Sequence, residues 1–231
     1  PSASSPSLAR CRIVRVVDDA GSETRGYGKL GEVVRSTRTV KPLKPNDSPQ
    51  TFETRFEFDS FGRMLGLWYP DGEELTYLYD AAGLVNHAEG HRPATKHWEE
   101  ATEVYLGSLT YDEFGARRHA VLGNGATTTW TYEPDTQRLK HVDTASQGRV
   151  LQALTYTYDL VGNVKTLTNA LGEATGRRSG AVSYTYDHDD LYRLTTATGT
   201  ALSRPGVVDR FKTTYTFGDE IHNMTRLEQR H

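Results

Sequence analysis

Hydrophobic and polar residues alternate along this chain in short runs that break off at nearly the same phrase each time. In Tyr156-Thr157-Tyr158-Asp159-Leu160-Val161-Gly162, two aromatics stand one residue apart, an aspartate follows, and a glycine comes three residues later. Asn163-Val164-Lys165-Thr166-Leu167 then resumes a strand-like pattern. The phrase returns as Phe56-Glu57-Phe58-Asp59-Ser60-Phe61-Gly62, as Tyr77-Leu78-Tyr79-Asp80-Ala81-Ala82-Gly83 and as Leu109-Thr110-Tyr111-Asp112-Glu113-Phe114-Gly115. Internal repetition of this kind governs the fold before any single residue does.

Asp at the first and Gly at the fourth position is the preference of a type I turn. The carboxylate accepts backbone N–H bonds, and the glycine takes a positive φ without a Cβ clash. A type I turn closed by a left-handed residue also makes a three-residue hairpin connection with a bulge. Side chains alternate across a strand, so the two aromatics share one face and the residue between them points to the other. Each phrase therefore predicts a β-hairpin with an aromatic stripe.

Residues 1–10 form a Ser/Pro-rich lead, and Arg12–Val17 predicts a strand ending at Asp18-Asp19-Ala20-Gly21. Tyr27-Gly28-Lys29-Leu30-Gly31 is a copy with Gly in the Asp place, and Pro42, Pro45 and Pro49 mark a loop. From Phe52 to Gly90 the turns Asp59–Gly62, Pro70–Gly72 and Asp80–Gly83 predict an antiparallel meander. Residues 90–101 predict a longer loop, with Thr95–Val104 the best helix candidate. Gly123-Asn124-Gly125 predicts a hairpin turn, and residues 143–149 another. Glu133-Pro134-Asp135-Thr136-Gln137 is a copy lengthened by one residue, with Gln in the Gly place. Loops are expected at 172–180 and around Ser203-Arg204-Pro205-Gly206. Aligned on the second aromatic, the copies fall at Tyr27, Phe58, Tyr79, Tyr111, Tyr132, Tyr158, Tyr186 and Phe217. Spacings of 21–32 residues are elastic between phrases and strict within them, as expected when stereochemistry fixes the turns and outer loops vary. The expected organisation is a lead and first strand over 1–26, then a hairpin array over 27–231.

Composition sharpens this all-β picture. In 231 residues the hydrophobic fraction is 36% and the aromatic fraction 10%, which suits a broad sheet with one packed face better than a thick two-sided core. A net charge of −3 gives no reason to expect nucleic acid or an anionic membrane as partner. No apolar run approaches the length of a membrane-spanning helix. Cys11 is alone, which leaves neither an intrachain disulfide nor a cysteine-based metal site. Pro1 opens no apolar run of the kind a secretory leader has, and the chain stops after Met224–Glu228, where a strand leaves a turn. It reads as an excerpt from a longer array.

The phrases Tyr79-Asp80-Ala81-Ala82-Gly83-Leu84, Tyr111-Asp112-Glu113-Phe114-Gly115 and Tyr158-Asp159-Leu160-Val161-Gly162-Asn163-Val164 resemble the RHS/YD-repeat family. Tyr186-Asp187-His188-Asp189-Asp190-Leu191-Tyr192-Arg193-Leu194-Thr195 fits as a variant in which Asp-Leu-Tyr-Arg-Leu-Thr replaces the glycine turn. The match covers roughly residues 27–228, and the stretch from Tyr27 to Thr200 is most similar to the RHS part of bacterial toxin proteins that carry SpvB-like or insecticidal toxin-complex regions. The resemblance implies an extended, curved antiparallel sheet that is part of a hollow shell, secreted or at a bacterial cell surface. The rest of the longer chain and an enclosed C-terminal toxin would be its partners. The motif residues it implies are Tyr27, Gly31, Phe58, Asp59, Gly62, Tyr79, Asp80, Gly83, Tyr111, Asp112, Gly115, Tyr132, Tyr158, Asp159, Gly162, Tyr186, Asp187 and Phe217. The family's self-cleaving segment, with Asp-Pro-Leu-Gly-Leu, has no counterpart here.

Catalytic chemistry finds little support. The pairs Asp18-Asp19, Glu99-Glu100 and Asp189-Asp190 could divide acid and base roles, but each falls in a turn or loop where solvation explains it. His87, His91 and His97 with Glu89 and Glu99 match no zinc spacing. No Gly-x-Ser-x-Gly elbow or phosphate loop is present. One carboxylate per turn supplies too few oxygens for calcium. The expectation is a non-enzymatic segment without a cofactor. Glycan binding or adhesion by the aromatic rows is the alternative. Turn chemistry yields a test: Gly162→Val forces a β-branched residue into positive φ and lowers stability by about 1–3 kcal/mol. Chemical denaturation measures it, and an unchanged midpoint contradicts the turn.

Overall fold

A computed structural model describes residues 11–42, 44, 46–96, 99–172, 180–218 and 223–230. The chain forms two compact units, residues 1–109 with Leu122–Asn124, and residues 110–121 with 125–231. Strands in the first unit are β1 (Arg15–Asp18), β2 (Gly21–Tyr27), β3 (Val33–Val40), β4 (Gln50–Phe58), β5 (Met64–Trp68), β6 (Glu74–Tyr79), β7 (Val85–Arg92) and most of β8 (Ala101–Tyr111). Those of the second are β9 (Arg117–Leu122), β10 (Thr127–Tyr132), β11 (Leu139–Ser146), β12 (Arg149–Tyr158), β13 (Val164–Asn169), β14 (Val182–His188), β15 (Leu194–Arg204), β16 (Val207–Phe217) and β17 (Met224–Arg230). Among the described residues there is no helix. Within each unit every strand pairs antiparallel with its neighbours in sequence.

The two faces of the sheet follow from alternation. In the second unit Tyr156, Leu167, Tyr184, Gly199 and Phe211 lie directly opposite one another from strand to strand. The next row, on the opposite face, is Thr157, Thr166, Thr185, Thr198 and Lys212. Gly199 has a packing reason: a Cβ there would lie 2.3 Å from the Phe211 ring and 3.0 Å from that of Tyr184. Its absence lets these rings meet at 5.5 Å with a 57° tilt, a favourable aromatic geometry. Gly90 plays the same part in the first unit, beneath Tyr105 and Leu75.

The core is thin. Only Tyr27, Ala88, Ala120, Ala126, Val142 and Ala197 are buried hydrophobics among the described residues, and no side chain is wholly enclosed. Within each unit the described strands form one sheet layer, so the ladders and the links between hairpins carry much of its cohesion.

Several expected boundaries shift. β1 begins at Arg15, three residues later than expected, and β2 runs through residue 26, where the lead was expected to end. β7 extends through His91 to Arg92, so the loop expected over 90–101 narrows to 93–100; His97 and Trp98 lie outside the described residues. The helix candidate Thr95–Val104 gives way to β8 from Ala101, because Leu106, Val104 and their neighbours pair with β7. The expected turn over 143–149 tightens to Gln147-Gly148, with φ of 49° and 72°. At Ser203–Gly206 a tight Pro205-Gly206 hairpin replaces the expected loop, with Gly206 at φ 73°. Of the expected 172–180 loop, residues 173–179 lie outside the described residues.

Candidate functional site: the hairpin junction

The repeated phrase builds one local machine many times. At its turn, the Asp59 N–H donates to the Arg63 carbonyl at 2.9 Å and Gly62 N–H to the Asp59 carbonyl at 3.1 Å. Asp80–Gly83, Asp112–Gly115, Asp159–Gly162 and Gly28–Gly31 close identically, the last with glycine in the aspartate place. The carboxylates cap these turns from inside: Asp59 Oδ1 accepts the N–H groups of Phe61 and Arg63, and Asp80 Oδ1 those of Ala82 and Leu84. Asp112 accepts from Phe114 and Ala116, and Asp159 from Val161, Gly162 and Asn163. The fourth residue is left-handed, at φ 78° in Gly62 and 105° in Gly162.

Seven of the turns follow a bulge. The ladder register slips immediately before Tyr27, Phe58, Tyr79, Tyr132, Tyr158, His188 and Phe217. These are the last residues of the even-numbered strands β2, β4, β6, β10, β12, β14 and β16. At the same end the ladder between successive hairpins gives out early: β5 and β6 pair only as far as Gly66 and Thr76. A side chain spans the opening. The Tyr79 hydroxyl donates to the Met64 carbonyl at 2.6 Å, Tyr132 to Arg117 at 3.0 Å, Tyr158 to Leu139 at 2.7 Å and Tyr27 to Ile13 at 2.7 Å. In every case the acceptor lies two residues past a left-handed residue, which is Gly62, Gly115 or Gln137 of the preceding hairpin or, for Tyr27, Cys11.

A guanidinium completes the junction. Arg63 lies 4.8 Å from the Tyr79 ring centre, Arg12 5.4 Å from Tyr27, Arg138 5.6 Å from Tyr158, Arg193 4.7 Å from Phe217 and Arg117 5.0 Å from Trp130. All but Arg117 directly follow a left-handed residue. Arg63 Nε also donates to Asp59 Oδ2 at 2.6 Å, and Arg193 Nε to Asp189 Oδ2 at 2.7 Å. One arginine therefore joins its own turn to the next hairpin's aromatic, a cation–π contact worth about 0.5–1 kcal/mol where exposed.

At the phrase expected at Tyr186-Asp187 the turn lies two residues later. Asp187 sits inside β14; Asp189 caps Leu191 and Arg193, and Tyr192 takes the left-handed place at φ 61°. His188 thereby occupies the closing position, and Tyr186 corresponds to Tyr156. Asp187 and Asp189, on either side of His188, made the register ambiguous in sequence. Gln137 stands left-handed at φ 56°, closing the lengthened turn through its N–H to Glu133. The arginine of the junction was overlooked in sequence, although an arginine one residue beyond the turn glycine or its substitute was visible in Gly62-Arg63, Gln137-Arg138 and Tyr192-Arg193.

Elsewhere the candidate chemistry disperses. Asp18 caps the Ala20 N–H and pairs with Arg38 at 3.1 Å. His87 lies 3.6 Å from Glu89 and His91 3.5 Å from Glu100, and among the described residues no cluster of His, Cys, Asp and Glu is arranged to hold a metal. No helix of the structure is long and apolar enough to cross a membrane.

No protein-family model matches this chain. The geometry is that of an antiparallel hairpin-repeat array, and its relatives are toxin subunits. The chain is 34% identical over 160 residues to toxin subunit YenC1 of Yersinia entomophaga, an alignment covering 66% of this chain and 16% of that subunit. It is 38% identical over 112 residues to toxin subunit YenC2, covering 45% and 12%. Among solved structures, it is similar to that of TcdB2-TccC3-Cdc42, with a TM-score of 0.72 and 27% identity over 95% of this chain and 12% of that one. The Photorhabdus luminescens Tc holotoxin pore gives 0.69 and 26% over 94% and 11%. The chain thus spans roughly a sixth or less of the length of these relatives.

The capping aspartates tie stability to pH. In Asp159 the Asn163 amide, opposed by partial desolvation and helped by the turn N–H groups, holds the carboxyl below its ordinary value. Asp59 and Asp189 are lowered too: desolvation opposes, but the backbone and side chain of Arg63 or Arg193 prevail. A folded-state pKa below the unfolded one gives stability that is whole above the ordinary aspartate value and lost as pH falls through the folded value. The thermal midpoint should hold from neutrality to pH 5 and fall below about pH 4. Asp159→Asn should make that fall shallower; an unchanged acid profile in this variant contradicts the capping role.

Proposed function

We propose that this chain is a non-catalytic wall segment of an RHS/YD-repeat shell, part of a larger secreted or cell-surface bacterial protein in which the shell encloses a C-terminal toxin. The observation that carries this reading is the repeated junction: aspartate turn, arginine and aromatic link one hairpin to the next, while few hydrophobic side chains among the described residues are buried. Similarity to Tc toxin structures over nearly the whole chain, and to a toxin subunit over two thirds of it, supports it. The edge strands support it as well. β1 carries exposed Val16 and Val17, and β17 exposed Met224 and Leu227, apolar surface that further hairpins would cover.

Limited proteolysis of the full-length parent protein tests the role. With Arg63→Ala and Arg138→Ala together, the toxin region should be cut faster than in the unmodified protein, because opened junctions admit protease. Unchanged protection alongside lost retention on immobilised glycans would refute the wall reading and favour adhesion.

A further inference from the structure

The left-handed turn glycines share one backbone conformation but not one environment. Gly31, Gly83 and Gly162 stand at φ 90°, 81° and 105°, and Gly62 at 78°. A Cβ on Gly162 would lie 2.9 Å from Arg138 Nη2, one on Gly83 would lie 3.0 Å from Arg63 Nη1, and one on Gly31 would overlap the Arg12 guanidinium. In each case this is the arginine that lies over the closing tyrosine of the same hairpin, Tyr158, Tyr79 or Tyr27. Arg138 Nη1 also donates to the Asp159 carbonyl at 3.1 Å, inside the turn that Gly162 ends. The guanidinium thus rests on the ring and on the bare backbone of the turn together.

Turns without the arginine are less demanding. Glu32 takes its place ahead of the Asp59 turn, and a Cβ on Gly62 would meet nothing within 4 Å. Ala116 and Asn163 take its place ahead of the turns at Glu133 and Asp189, and those turns carry Gln137 and Tyr192 at the left-handed position. Their φ of 56° and 61° lies in the same region, so the backbone conformation alone does not impose glycine. Each arginine-clasped hairpin whose whole turn is described has glycine there, and both described turns with a side chain there lack the arginine.

We propose that the turn glycine is the seat of the guanidinium from the preceding segment, and that this arginine and this glycine form a matched pair that selects which hairpin can follow which in the array. A flexible arginine yields before backbone does, so a side chain at the seat pushes the guanidinium off the ring and leaves the turn itself closed. The glycine therefore meets two demands, a left-handed backbone and a surface without a Cβ. Only the second depends on the neighbouring hairpin. The inference does not rest on what the array encloses.

Thermal unfolding of the 231-residue chain with asparagine at the seat tests it, because asparagine tolerates the left-handed region and so isolates the contact. Gly162→Asn should lower the midpoint by about 2 °C more than Gly62→Asn, the effect of one lost cation–π contact in a chain of this size. In an Arg138→Ala background, Gly162→Asn should cost no more than Gly62→Asn does. Gly83→Asn, alone and with Arg63→Ala, should repeat the pattern at a second junction. Equal losses at Gly62 and Gly162, or an excess loss at Gly162 or Gly83 that survives removal of its arginine, would overturn the proposal.

Discussion

The structure depends on how one hairpin is fastened to the next where the backbone ladder stops. A single sheet layer gains little from burial on its own, since apolar side chains on an uncovered face remain half in water. Backbone pairing holds each hairpin, but near the aspartate turns the bulge ends the register and neighbouring hairpins separate. At that opening the closing tyrosine spans the gap with its hydroxyl, and the arginine lies over its ring. Each link is worth on the order of 1 kcal/mol. Such small terms matter because they recur at one junction after another, and nearest-neighbour links add along a repeat array.

The same logic explains why the aspartate is a structural residue. Its two oxygens satisfy the turn's N–H donors and orient the arginine, so the carboxylate is consumed by its own hairpin. Variation at the junction then has local consequences. A phenylalanine at the closing position keeps the ring and loses the hydroxyl link, as Phe217 does beneath Arg193. Histidine with asparagine, as His188 and Asn163 stand, supplies neither the tyrosine hydroxyl nor the guanidinium.

Much of this was legible in sequence because turn chemistry is local. The spacing of Tyr158, Asp159 and Gly162 encodes turn, bulge and strand polarity within seven residues, and the structure repeats those features wherever the phrase is intact. Boundaries without such chemistry were not legible. The β7–β8 strands around residues 90–101 are defined by cross-strand partners far along the chain, which override weak local preference. The shift from Asp187 to Asp189 arose because two candidate aspartates flank His188, and only the left-handed Tyr192, an unusual residue for that conformation, marks the true turn. The arginine clasp joins residues 13–24 positions apart, beyond the reach of a pattern read within one phrase.

The clasp is tested most directly by a double-mutant cycle on Arg63 and Tyr79, with Arg63→Met and Tyr79→Leu retaining apolar bulk. Chemical denaturation of the wild type, both single variants and the double variant gives the coupling energy. Clasped hairpins require a favourable coupling of about 0.5–1.5 kcal/mol. Additivity within about 0.3 kcal/mol would show that the arginine and the tyrosine act independently, and that the hairpins are held together by the backbone ladder alone.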